Sequence, residues 1–130
     1  LNAGDVPRSP IPSDDMLPAV GQGAIGIERR MDDSNTARLL EPIHDVPTAQ
    51  RLAAERAFLA TLDGSCETPI AALAELDGDQ LRLRGEILRT DGSEALSDEA
   101  IGAIADGPQM AIDMAQGLLA RAGDGFFDWR

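Results

Sequence analysis

Apolar residues recur at helical spacing before residue 62. Leu52, Ala53, Phe58, Leu59 and Leu62 repeat in this way, and Pro47 stands at the start. The pattern predicts a helix from Thr48 to Leu62. Arg51, Glu55 and Arg56 occupy its other faces, with Arg51 and Glu55 spaced as a surface pair. After residue 68 the period changes to two. Pro69 to Leu76 is apolar and stops at Asp77-Gly78. Leu81, Leu83, Gly85 and Ile87 then alternate with Arg82, Arg84, Glu86 and Leu88. This predicts a β-hairpin with one covered face, joined through Asp77-Gly78-Asp79. Asp91-Gly92 marks a second turn, and Ser93 to about Ala100 reads as a third, weaker strand. Gly107-Pro108 opens a last helix. Its stripe is Met110, Ala111, Met114, Leu118 and Leu119, with Ala115 beside it and Gly123 placed as the C-terminal cap.

The N-terminal part reads differently. Residues 1–18 hold Pro7, Pro10, Pro12 and Pro18, a density that excludes helix and central strand. Residues 19–28 mix glycine with apolar residues, and Ala24 to Glu28 is expected to be a short strand that wants neighbours on both sides. Asp32-Asp33-Ser34 supplies an N-cap for a short helix over Asn35 to Leu40, ended by Pro42. Residues 1–42 are therefore an arm carrying one strand and a short helix. Residues 43–130 form a second unit. For residues 43–122 the compact solution is α+β, with helices on one face of a three-stranded antiparallel sheet.

Composition narrows the classes. The chain has 130 residues, enough for one domain plus an arm. Only four aromatics occur, three of them in the last five residues, so an aliphatic core of Leu, Ile, Val and Ala with Met as filler is expected. The net charge of −12 argues against a nucleic-acid surface. All 11 positive charges are arginine, which a genome bias toward Arg, Ala, Gly and Asp codons explains, while individual arginines suit forked recognition of carboxylates. A single cysteine rules out an internal disulfide. No apolar run approaches a membrane span and no signal-peptide pattern opens the chain, so a soluble cytoplasmic protein is the expectation.

That lone cysteine, Cys66, lies in Asp63-Gly64-Ser65-Cys66-Glu67-Thr68-Pro69. A helix leads in, and Pro69 stops any new helix, so the thiol sits on a tight loop. It can be a nucleophile or a covalent attachment point, or it can be structural. A metal site is not expected, because His44, the only histidine, has no partner at ligand spacing. A Cys66–His44 nucleophilic pair, giving a small thiol enzyme, stays open, as does a non-catalytic binding module. Gly21-Gln22-Gly23-Ala24-Ile25-Gly26 matches the dinucleotide glycine spacing, but the strand is expected after the glycines rather than before them.

Two runs change these weights: Leu17-Pro18-Ala19-Val20-Gly21-Gln22-Gly23 and Gly64-Ser65-Cys66-Glu67-Thr68-Pro69-Ile70. With Gly26-Ile27-Glu28, Asp32-Asp33-Ser34 and Ala54-Glu55-Arg56-Ala57 between them, the chain resembles the porphobilinogen deaminase (hydroxymethylbilane synthase) family over nearly its whole length. The resemblance implies a C-terminal fragment of a three-domain transferase of tetrapyrrole biosynthesis, monomeric when complete. It implies that Cys66 carries a dipyrromethane cofactor through a thioether, on which four porphobilinogen molecules condense. Gln22, Gly23, Arg30, Arg56, Gly64 and Ser65 would lie near that cofactor or at the hinge between domains. No catalytic residue is assigned here, since the family's catalytic aspartate falls in sequence that this chain lacks. The fragment is therefore expected to be inactive, with Cys66 unmodified, and to self-associate through residues 24–28.

Overall fold

A computed structural model describes residues 7–64 and 68–127. Asp33 accepts the Thr36 N–H at 2.9 Å and starts α1 (Ser34–Leu40), which a turn of 3-10 helix extends to Ile43. Asp45 likewise accepts the Thr48 N–H at 2.9 Å and starts α2 (Val46–Thr61), two residues earlier than its apolar spacing suggests. The caps fill N–H groups that have no partner within the helix. Three antiparallel strands follow in the order β1 (Ile70–Asp77), β2 (Gln80–Leu88) and β3 (Ala95–Ala103). The third strand begins and ends later than expected, and Arg89 pairs with Glu94 across the turn before it. Helix α3 (Gly107–Ala122) ends at Gly123, whose φ of 70° suits glycine.

Helices α2 and α3 cover one face of the sheet, as the α+β reading requires. Pairings Ala72–Gly85, Ala74–Leu83 and Leu76–Leu81 set the register, and Leu81, Leu83 and Ile87 are fully buried beneath the helices. The core is not purely aliphatic. Phe58 and Phe126 are also inside it, and Phe58 sits at its centre above Gly85. On α2 the buried stripe runs through Ala54, Glu55, Phe58 and Leu62, while Ala53 is exposed.

Two expectations fail here. Residues 24–28 form no strand: they lie outside any regular element and are exposed, with Ile25 92% accessible. A strand needs a neighbour to fill its N–H and C=O groups, and none of the described residues pairs with this segment. Among the described residues the arm instead makes a strand-like contact earlier, through the Ala19–Ala71 bridge and the Ala72 N–H to Pro18 O bond of 3.2 Å. Nor is Glu55 a surface partner of Arg51. Arg51 bonds the Pro47 carbonyl of its own helix, and Glu55 points inward.

The Pro-rich stretch also has a place. Residues 12–16 turn back on themselves, with the Asp15 N–H to Pro12 O bond at 3.0 Å. They then cross the outer sheet face, where Arg84 donates to Asp14 Oδ1 at 2.6 Å, Ser13 Oγ at 3.2 Å and Glu75 Oε2 at 3.0 Å.

Candidate functional site

The segment bearing Cys66 leaves α2 through a closed helix end. Asp63 N–H donates to Ala60 O at 3.1 Å and Gly64 N–H to Leu59 O at 3.0 Å. Both bonds belong to the Schellman arrangement, which fills carbonyls that the helix leaves open. Asp63 takes the left-handed position with φ 52°, alone among the described non-glycine residues. Gly64 is held for a different reason. A Cβ there would stand 2.5 Å from Leu59 Cδ1 and 2.7 Å from Ile70 Cδ1, because the chain is pinched between α2 and the start of β1. Thus the loop departs from a fixed point. Ser65 and Cys66 themselves, with Glu67, lie outside the described residues, and so does any Cys66–His44 pairing.

An open groove of about 1080 Å³ lies between residues 25–29, α1 and the N-terminal half of α2. Arg29, Arg38, Arg56 and His44 line it, opposed by Glu28, Glu41 and Asp45. Of the expected site residues that are described, only Arg56 lines this groove. Gln22 is exposed and donates its N–H to Ala19 O at 3.1 Å, in a turn whose Gly21 and Gly23 have φ of 69° and 79°. Arg30 is exposed as well, and its carbonyl accepts from Arg29 Nη1 at 2.9 Å. Guanidinium groups suit carboxylate ligands through paired N–H donors. Among the described residues no cluster of His, Cys, Asp or Glu could hold a metal ion, and no helix is long and apolar enough to cross a membrane.

The residue that sequence reasoning placed wrongly is Glu55. It is 6% exposed, accepts the Gly21 N–H at 2.7 Å through Oε2 and the Ala74 N–H at 2.9 Å through Oε1. A signal was present: positions 55, 58 and 62 share one helical face, so Glu55 lies on the apolar stripe itself.

A family profile described as porphobilinogen deaminase, C-terminal domain, matches residues 49–120. The chain belongs to the porphobilinogen deaminase family. A porphobilinogen deaminase of Paracoccus denitrificans is 60% identical over 124 residues, which is 95% of this chain and 40% of that relative. The chain thus spans about two fifths of the length of the relative. The profile begins within α2 and ends within α3, so it takes in the whole sheet and the Cys66 segment.

Proposed function

We propose that this chain is the cofactor-bearing part of a hydroxymethylbilane synthase, a cytoplasmic transferase of tetrapyrrole biosynthesis. The 60% identity running through 95% of the chain carries the reading. Cys66 would hold a dipyrromethane through a thioether bond; four porphobilinogen molecules would be joined head to tail, each losing ammonia, and water would release hydroxymethylbilane. The bound group supplies a free pyrrole α-carbon at which the chain grows. The protein's own part is to hold that anchor still. Closure of α2 at Asp63-Gly64 and the pinch against Ile70 support this role, because they give the loop a rigid root. The donor set fits a group of this chemistry: acetate and propionate side chains are carboxylates, and Arg29, Arg38 and Arg56 offer forked donors along one groove. Gln22, Gly23 and Arg30, which do not line that groove, are assigned to the surroundings of the cofactor, Gly64 and Ser65 to the approach of the thiol. None of the aspartates of this chain is assigned the catalytic role.

By itself the 130-residue polypeptide should neither turn over porphobilinogen nor carry the cofactor. A hydroxymethylbilane assay and an intact mass equal to the bare polypeptide would agree. Placing the chain into the P. denitrificans enzyme, in place of the matching 124 residues, tests the reading itself. Turnover and a mass gain of two pyrrole rings are expected, both lost in Cys66→Ser. A chimera that works without Cys66, or that fails with it, overturns the proposal. Self-association through residues 24–28 is a separate part of the reading. Sedimentation of Ile25→Ser/Ile27→Ser should show a smaller species than the unaltered chain, and equal sizes would remove it.

A further inference from the structure

Glu55 is the one charged side chain in the core of the described residues, and the anchor reading makes no use of it. It stands on the face of α2 that also carries Phe58 and Leu62. A leucine there would fill the space without taking a carboxylate out of water, which is costly unless its lone pairs are occupied. Here both oxygens are occupied, and by different parts of the chain. Oε1 takes the Ala74 N–H on the free edge of β1, at 2.9 Å. Oε2 takes the Gly21 N–H of the arm, at 2.7 Å. Both donors are N–H groups, so the arrangement calls for two acceptors and suits an ionised carboxylate. Gly21 is itself constrained: its φ is 69°, and a Cβ there would touch Leu52 Cδ2 at 3.4 Å. The arm has a second tie close by, the Pro18 and Ala19 contacts with β1.

We infer that Glu55 is a positioning residue. It latches the Gly21-Gln22-Gly23 crossing onto α2 and β1, the two elements that flank the Cys66 loop, so that the arm and these two elements keep one fixed relation. The catalytic consequence rests on the reading above; the latch does not.

Glu55→Gln separates the two bonds. Glutamine has one acceptor oxygen and one NH2 group. The Ala74 N–H is buried, whereas the Gly21 N–H is only part-buried and can turn to water. The oxygen therefore stays with Ala74, and the NH2 group faces the Gly21 N–H and drives the arm off. In the unaltered chain, NMR should show through-hydrogen-bond couplings from the Gly21 and Ala74 nitrogens to Glu55 Cδ. Absence of the Gly21 coupling overturns the latch, whether or not any variant folds. In Glu55→Gln, exchange at Gly21 should speed up by at least roughly tenfold while amides of β2 and α3 keep their rates. Equal acceleration everywhere, or none at Gly21, also overturns it. In the chimera, Glu55→Gln should lower kcat per cofactor-loaded chain by roughly tenfold at unchanged loading. A merely structural role would lower the loaded fraction and leave kcat per loaded chain intact, and that result removes the positioning role. A chimera dead with Glu55 in place defeats the proposed function instead, and the coupling and exchange results still decide the latch.

Discussion

Gly85 marks a close approach of the helix layer to the sheet. A Cβ there would stand 2.6 Å from Phe58 Cζ and 2.9 Å from Met114 Sδ, so the ring occupies the place of a side chain. Gly85→Ala should lower unfolding stability by about 1–3 kcal/mol, the usual range for overpacking a filled core. Chemical denaturation measures this, and an unchanged midpoint would mean that Phe58 moves without cost. Gly64 is similarly crowded, but against the tips of Leu59 and Ile70, which can turn aside; Gly64→Ala should cost less and act mainly on the direction of the loop. The alternation of β2 announced position 85 as covered. It did not announce why a glycine stands there, because the reason is a ring that arrives from another element.

Helix ends show the same division between local and distant causes. The caps of α1 and α2 are local, and Asp33 and the start near Pro47 were legible from neighbouring residues. Thr48, through its side chain first and its backbone N–H second, holds the Asp45 carboxyl below the usual carboxylate value of 3.8. Asp33 is lowered in the same sense, first by the backbone N–H of Thr36 and then by its hydroxyl. A folded value below the unfolded one means that each cap stabilises above pH 3.8, and the contribution disappears as pH falls through the folded value. Circular dichroism should therefore show helix loss and a lower Tm over that window. Asp45→Asn, which keeps an acceptor without a titrating group, should flatten the α2 part of the change; an identical pH profile would count against it. The hairpin, the third strand and α3 were legible because their periods and turns are local. Residues 24–28 and Glu55 were misread because their fate depends on partners distant in sequence. Ile25 and Ile27 look like strand residues but find no neighbour, and Glu55 looks like half of a surface pair until the arm and β1 meet it.

At the scale of the whole molecule, the described part of the arm is tied down in two regions, the second of which also holds the Pro18 and Ala19 contacts with β1. Arg84 pins residues 13 and 14 to the outer sheet face, its side chain only 11% exposed, and Glu55 pins Gly21. Arg84→Ala should leave the helices intact and release residues 12–16. Thermolysin would then cut near Leu17 roughly tenfold faster, with cleavage elsewhere unchanged; equal resistance in both proteins would show that Glu55 and Pro18 suffice. The second tie also bears on how the domain behaves in concentrated solution. Pro18 O and Glu55 Oε1 occupy the outward N–H groups of Ala72 and Ala74. The strand beneath them begins Ile70-Ala71-Ala72-Leu73-Ala74, which carries no charge. An edge of that composition, once bare, is a template on which other chains add strands. Colloidal stability of the domain thus depends on Glu55 and on an arm that adds Val20 to the packing around the core.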